Sequence, residues 1–317
     1  MDIKLYGDWM KPQVSKLFST NYGTNEADLE ITMGKFYEHP FQKNKCIRIV
    51  AMDQDKVIGF QSLFFWPYQK DGQVYNTYQS GNSLVHPDYR GKGIFQNLLN
   101  YLDTYNKDLK IDFLVGFPVQ QSYGSFMKNK WSNPLNLNWY LKVINPFGFI
   151  FPINTIDSYF DKVPQNVIQN VPSGIFRLVQ DKAFENWRGS FSGNRKYFYF
   201  NFTENPNTIT FSLKTNKRNK WFNELIIGDI RSSTNDYKFI RKAMAQLRNR
   251  AIKSLGVSAI TIAVNEHAPS PVNLVLKKMN FFKIKKSIYF ITKSFNENLE
   301  INNKKNWELY RSDIDTW

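Results

Sequence analysis

The sequence predicts an α/β (α+β) fold with mixed central sheets, built as two consecutive copies of one motif, and three observations lead there. Three β-rich runs are followed by a glycine-containing loop and an amphipathic helix. The same order of elements returns in the second half. A chain of 317 residues, 42% hydrophobic and 16% aromatic, is long and apolar enough to bury two cores.

Element by element, Ile3–Tyr6 reads as an edge strand, and the segments near Lys11–Thr20 and Glu26–Tyr37 carry helical spacing with Asn25 as a cap. Cys46–Met52, Val57–Trp66 and Val74–Val85 read as an antiparallel meander, because Asp53-Gln54-Asp55 and Lys70-Asp71-Gly72 supply turn chemistry between them. Ile94, Leu98, Leu99 and Leu102 then recur at helical spacing, directly after Arg90-Gly91-Lys92-Gly93. A strand over Ile111–Val119, a short helix over Gln121–Asn129 and an aromatic strand over Asn138–Ile144 follow.

Pro and Gly in Asn145-Pro146-Phe147-Gly148 interrupt both periods, which divides the chain into domains 1–145 and 146–317. Beyond that point Ile156–Asp181 is expected to be helical in part. Strands are expected at Arg195–Phe202, Thr208–Leu213 and Trp221–Ile230, then a helix over Asp236–Leu255 closed by Gly256 as a C-cap. Strand Ala259–Val264, helix Pro271–Lys278 and strand Lys286–Lys293 complete the second copy, which reads as a diverged duplicate. Leu299–Trp317 is a polar tail whose Trp307 and Trp317 suggest that it docks.

Composition excludes several classes. The apolar content is too high for a disordered chain. Cys46 is the single cysteine, so neither an internal disulfide framework nor a cysteine-based zinc site can be built. The histidines are His39, His86 and His267, too few for a His-rich metal centre, and no metal is expected. The start, MDIKLYGDWMKPQ, has no apolar core of a signal peptide, and no apolar stretch approaches the roughly 20 residues of a membrane span. A cytoplasmic protein is the expectation.

Lys and Arg exceed Asp and Glu by a formal +15. Such a field concentrates polyanions, whether nucleic acid, headgroup, nucleotide or CoA. The basic residues are scattered apart from Lys214–Lys220 and Lys283–Lys286, which read as solvated edges. No nucleic-acid motif accompanies them.

The most informative stretch is Leu84-Val85-His86-Pro87-Asp88-Tyr89-Arg90-Gly91-Lys92-Gly93-Ile94-Phe95. A strand delivers the chain to a turn, glycines remove Cβ atoms, and successive backbone N–H groups at a helix N-terminus face an anion such as pyrophosphate. This stretch, placed after a meander and before an amphipathic helix, resembles the acetyl-CoA loop of the GNAT superfamily of N-acetyltransferases. Matched to the family's R-x-x-G-x-G/A pattern, Arg90 takes the first position, Gly93 the central glycine, and Phe95 stands where Gly or Ala is usual. Leu84, Val85, Arg90, Gly91, Lys92, Gly93, Ile94 and Phe95 are therefore the expected binding residues for acetyl-CoA.

The resemblance implies direct attack of a primary amine on the thioester, with a backbone N–H near Leu84 and Val85 holding the carbonyl oxygen. Relatives often carry a carboxylate where Val74–Val85 has none, so Asn82, Tyr78 or Gln79 acting through water, or His86, are the candidates to deprotonate the acceptor. The family's acid is a tyrosine; Phe126 stands in its place, and Tyr123, on nearly the same helix face, is the candidate, with Ser122 and Ser125 as neighbours. Trp66, Tyr68, Tyr78 and Asn82 are expected to line the acceptor cleft.

The second half resembles the same fold through Val264-Asn265 and Asn280-Phe281, but Asp229-Ile230-Arg231-Ser232-Ser233-Thr234 has no glycine pair. The second copy is thus expected not to hold pyrophosphate. Trp187-Arg188 and the terminal Trp307-x-Leu-x-x-Ser-Asp-Ile-Asp run resemble tandem bacterial proteins associated with surface polysaccharide synthesis, with Asp313 and Asp315 able to face an acceptor. The implied reaction moves acetyl to a small, anionic amine acceptor, an amino-sugar nucleotide or other cell-envelope precursor. Three alternatives stand beside it: an aminoacyl-tRNA-dependent transferase of the peptidoglycan-bridge type, which +15 would suit, a non-catalytic module that binds CoA or another ligand, and, weakest, a general RNA or DNA binder.

Overall fold

A computed structural model describes residues 1–23, 25–151, 156, 158–190, 197–219 and 222–315. Along the chain it forms β1 (Asp2–Leu5), α1 (Lys11–Tyr22), α2 (Glu26–Tyr37), β2 (Ile47–Asp53), β3 (Lys56–Phe65), β4 (Tyr68–Lys70), β5 (Gln73–Tyr75), β6 (Thr77–Val85), α3 (Ile94–Leu109), β7 (Phe113–Gly116), α4 (Gln120–Lys128) and β8 (Ser132–Val143). The second half adds β9 (Arg177–Leu178), α5 (Lys182–Ser190), β10 (Tyr197–Glu204), β11 (Asn207–Asn219), β12 (Phe222–Ser232), α6 (Tyr237–Lys253), β13 (Ala259–Val264), α7 (Pro271–Lys278) and β14 (Phe282–Ser294). The duplicated order is therefore present.

Two compact units result, and they interleave along the chain. The first comprises Met1–Pro134, Leu178–Ser192 and Tyr289–Asn302; the second comprises Leu135–Arg177, Gly193–Ile288 and Asn303–Trp317. A single cut at residue 145 separates the two element orders, whereas each unit recruits its last strand from the other half. In the first unit β1, β2, β3 and β6 are antiparallel neighbours, β6 and β7 are parallel, and Ile291–Ser294 of β14 pairs antiparallel with β7. In the second, β10, β11 and β12 are antiparallel, β12 and β13 parallel, and Asn138–Val143 of β8 pairs antiparallel with β13.

The first unit packs Ile94, Leu98, Leu99 and Leu102 of α3 on Ile49, Ala51, Ile58, Tyr78 and Leu114 of the sheet. That is the period-3.6 stripe meeting the period-2 face. Lys293 ties the recruited strand in place: its Nζ reaches Asn129 carbonyl and side-chain oxygens at 3.0 Å and Asp103 Oδ1 at 2.5 Å. On the other face Trp66, Phe41, Phe184 and Trp187 form an aromatic nest, and the Trp187 indole donates to the Phe36 carbonyl at 3.1 Å. The second unit's core joins Phe200, Phe211, Leu225 and Ile227 to Ile240, Met244 and Leu247 of α6.

Several expectations are corrected. The third β-rich run does not start at Val74: Gln73–Tyr75 folds back on Tyr68–Lys70, and the meander's third strand begins at Thr77, whose hydroxyl donates to the Trp66 carbonyl at 2.5 Å. No α-helix lies in the described part of Ile156–Asp181. Gly256 is not the left-handed residue after α6; Leu255 takes that conformation, φ 57°. Trp307 is fully buried, as a docking tail requires. Arg195, Trp221 and Trp317 lie outside the described residues.

Candidate functional site

The first unit offers a wedge between two strands and a bare helix end at its mouth. β6 and β7 pair over Thr77–Ser80 and Phe113–Gly116, and β6 then runs on to Val85 without β7 beside it. A 3-10 turn over Pro87–Tyr89 carries the chain to α3. Gly91 (φ 78°) and Gly93 (φ 73°) are left-handed, and a Cβ at either would meet nothing within 4 Å. The glycines are needed for conformation, and the space above them is open.

Gly93 is the N-cap of α3 with no side-chain hydrogen bond onto the helix, no acidic residue follows in the first turn, and the first intrahelical donor of this turn is the Asn97 amide. The N–H groups of Ile94 and Phe95 are therefore directed at whatever anion sits there, on the positive end of a 16-residue helix. Such a cradle fits a pyrophosphate. Lys92 and Lys56 place their ammonium groups 4.8 and 5.3 Å from the Tyr89 ring, adding positive charge beside the loop. Arg90 acts as a tether instead: its guanidinium donates to Asn21 Oδ1 at 2.6 Å and to the Val85 carbonyl at 3.3 Å.

The helix start is set on the sheet by a close approach at Gly59, where a Cβ would lie 2.9 Å from Ile94 Cγ2 and 3.2 Å from Ala51 Cβ. On the next strand the register slips. Phe60 faces Leu84 and Ser62 faces Gly81, so Asn82 and Ser83 together oppose Gln61. This bulge lies directly after the point where β6 leaves β7, and it redirects backbone groups toward the wedge. Gln61 stitches it: its amide donates to the Gly81 carbonyl at 3.1 Å and its oxygen accepts from Ser83 at 2.5 Å. Leu84 and Val85, the predicted carbonyl-holding positions, follow immediately.

Asn82 takes a left-handed backbone, φ 39°, and its side-chain N–H donates to the Tyr37 hydroxyl at 2.6 Å. Tyr37 passes the bond on to Ser62 at 3.2 Å, and burial raises its phenol well above the usual range. Asn82 is left with Oδ1 as a free acceptor. His86 caps the 3-10 turn, its Nδ1 accepting from the Asp88 amide at 3.4 Å, which leaves Nε2 to carry the proton of the neutral ring. Tyr123 on α4 packs on Tyr289 with ring centroids 4.4 Å apart, and the Tyr289 hydroxyl donates to Gln120 Oε1 at 2.6 Å. Phe95 turns to Phe126, edge to face at 5.3 Å, so the bulky residue at the family's small position points into packing.

Trp66 and Tyr68 are fully buried and Tyr78 is 7% exposed, so these three are core and not the acceptor surface that the sequence suggested. Asp313 is likewise buried, in the second unit, beside Arg177 and Tyr310. Tyr37, Gln61, Asn21 and Tyr289 escaped sequence reasoning, since nothing local marks them; each is brought in by a distant element. Burial pushes the Cys46 thiol up to about 11, which keeps it protonated and unfit as a nucleophile at neutral pH.

Among its described residues the second unit shows no equivalent cradle. At the start of α6 the Asp236 carboxylate accepts from the Lys238 amide at 2.8 Å, putting the chain's own negative charge on that helix end. A cleft of about 1100 Å³ lies beside α7, where Tyr140 and Lys283 both donate to Glu266 at 2.6 to 3.0 Å. Burial works against ionisation there, yet these two donors hold the Glu266 carboxyl below its ordinary range. No helix among the described residues is long and apolar enough to cross a membrane, and no group of three or more metal-ligating side chains is found among them.

Residues 3–127 match the sequence model of the acetyltransferase (GNAT) domain. No curated protein matches the chain. Among solved structures it is similar to a GCN5-related N-acetyltransferase from Anabaena variabilis, with TM-score 0.63 and 13% identity over 92% of this chain and 73% of that one. It is similar too to a probable N-acyltransferase from Enterococcus faecalis, with TM-score 0.58 and 11% identity over 93% and 73%. A tandem GNAT protein from the clavulanic acid biosynthesis pathway aligns over 92% of this chain and 98% of its own, with TM-score 0.50 and 14% identity. At such identities these likenesses show the fold. Residues 3–127 therefore carry the match to the acetyltransferase (GNAT) domain, and the chain shares its fold with solved N-acetyltransferases and with a tandem GNAT protein.

Proposed function

We propose that the first unit transfers acetyl from acetyl-CoA to a primary amine of a small anionic acceptor, an amino-sugar nucleotide or other cell-envelope precursor, in the cytoplasm. The observation that carries this reading is the uncapped first turn of α3 behind Gly91 and Gly93, set at the mouth of the β6/β7 wedge. Pyrophosphate would sit on the Ile94 and Phe95 amides, and the pantetheine arm would run along the unpaired edge of β6 past Leu84 and Val85.

The chemistry balances without a covalent enzyme intermediate. The neutral amine attacks the thioester carbonyl, a carbon–nitrogen bond forms as the carbon–sulfur bond breaks, and the proton lost from nitrogen ends on the thiol of CoA. A backbone N–H of the bulged strand holds the developing oxyanion. Asn82 Oδ1, left free by the bond to Tyr37, can accept from the ammonium or from a water that carries its proton away. His86 presents a donor and serves the turn. Tyr123 is the group proposed to protonate the leaving thiolate.

The test is a parallel thermal-shift series with CoA, acetyl-CoA and tRNA. A ligand that binds only the native state stabilises it by about 2.7 kcal/mol at a hundred times its Kd. Stabilisation by both CoA species supports the reading. Stabilisation by tRNA alone would replace it with the aminoacyl-tRNA-dependent alternative.

A further inference from the structure

The two copies can be compared at equivalent places. In the second unit β12 and β13 are parallel over Glu224–Ile227 and Ala259–Ile262, and β12 then runs on to Ser232 without β13 beside it, as β6 runs past Ser80 without β7. This second wedge has an occupant. Tyr310 forms an antiparallel bridge with Val264, at the end of β13. The Asn265 amide donates to the Leu309 carbonyl at 3.3 Å, and its side chain donates to the Lys304 and Trp307 carbonyls at 2.7 and 2.8 Å. Ser270, the N-cap of α7, donates to Glu308 at 3.1 Å.

The β12 side of the wedge is bound through Arg177. Its guanidinium donates to Asp229 Oδ1 at 2.5 Å and to the Ile230 carbonyl at 3.1 Å, and it lies 4.6 Å from the Tyr310 ring centroid. Phe176, the residue before it, exchanges backbone hydrogen bonds with the same segment: its N–H donates to Asn306 at 2.6 Å and its carbonyl accepts from Glu308 at 3.1 Å. Trp307, Leu309, Tyr310 and Asp313 are all at most 2% exposed. The backbone of the segment is met by hydrogen bonds from Phe176 and Asn265, which lets it be buried this completely.

We propose that the segment Trp307–Asp313 is a built-in occupant of the second unit's donor groove. Tyr310 takes the place between β12 and β13 that the pantetheine arm takes between β6 and β7, and Asp236 takes the place of the phosphate at the helix end. The chain consequently binds one acyl donor, in the first unit alone. The inference rests on the reading of the first unit as the acetyl-CoA site, and it goes beyond the missing glycine pair by naming what fills the second groove.

Two measurements on the intact chain test it. Titration calorimetry with CoA should give one site per chain, and Gly93→Val, which forces a branched residue into φ 73°, should leave none. Hydrogen exchange should find the amides of residues 307–313 roughly a thousandfold slower than in a free peptide, both without CoA and at saturation, as expected of a cooperatively held core segment. Two sites, one site surviving in Gly93→Val, or deprotection of 307–313 by CoA would each overturn the proposal. Fast exchange of 307–313 in the free protein would overturn the occupancy whatever the first unit does. An absence of any CoA binding to the wild-type chain, with 307–313 protected, would remove the reading of the first unit and the one-donor stoichiometry, leaving only the occupied groove standing.

Discussion

Asn82 and Tyr37 share a 2.6 Å hydrogen bond that ties the left-handed residue of the β6 bulge to the buried phenol at the end of α2. The bond holds a strained backbone at the point where β6 is free of β7. Asn82→Gly keeps the backbone conformation at no steric cost and loses only the bond, whereas Asn82→Ala loses the bond and strains the chain. Urea unfolding is expected to show Asn82→Gly less stable by about 1 kcal/mol and Asn82→Ala by a further 1 kcal/mol or so. Equal values for the two would show that the backbone there is not constrained.

Gly59 sets the height of α3 above the sheet. A methyl group at 2.9 Å from Ile94 Cγ2 must push the first turn of the helix outward, and overpacking of this kind costs about 1–3 kcal/mol. Gly59→Ala is expected to lower the melting temperature and to weaken CoA binding together, read by thermal shift and calorimetry. A stability loss with unchanged CoA affinity would show that the helix end is positioned from elsewhere.

Tyr123→Phe keeps the ring packed on Tyr289 and removes the hydroxyl. If that hydroxyl protonates the thiolate, kcat for acetyl transfer falls while the Kd for CoA stays as it was. General acids contribute about 100-fold or more, and a thiolate, a good leaving group, sits at the low end. An unchanged kcat would assign the proton to solvent.

The buried cluster behind Tyr310 makes stability depend on pH. Arg177 and Arg231 face Asp229, Glu308 and Asp313, and burial pushes the Asp313 carboxyl from the ordinary 3.8 up to about 7. Its Oδ2 accepts from the Tyr310 amide at 2.5 Å and its Oδ1 has no partner, as suits the protonated oxygen. Between about pH 4 and 7 the folded chain therefore holds a proton that the unfolded chain has released, so stability falls as pH rises through that window. Asp313→Asn should flatten the slope, being more stable than wild type at pH 8 and near it at pH 5. Denaturation midpoints at the two values check this; parallel pH profiles would show that Asp313 is ionised in the fold.

What was legible in the sequence was what is encoded locally. Asn25 caps α2 by accepting from Ala27 at 2.9 Å, Gly91 and Gly93 take the conformations that glycine permits, and the Ile94-Leu98-Leu102 stripe faces the sheet. Features set by distant partners were not legible. The bulge at Asn82 depends on Gln61, and the left-handed Leu255 has no turn residue to announce it. Trp66 and Tyr68 looked like cleft residues because aromatic side chains serve both surface recognition and cores, and α5, which buries Trp66, comes from beyond the expected boundary in sequence. The exchange of last strands was invisible because β8 follows the first copy and β14 the second in sequence, and nothing local in either strand names its distant partner.

That exchange has a consequence during synthesis. The edge of β7 at Phe113–Gly116 pairs with Ile291–Ser294, which the ribosome delivers only after some half of the chain has followed. At about 5–20 residues per second, the nascent first half waits on the order of ten seconds or longer with an unpaired strand edge exposed. The sheet of the first unit is completed last, so a polypeptide released early should keep that edge open and be a ready client for chaperones.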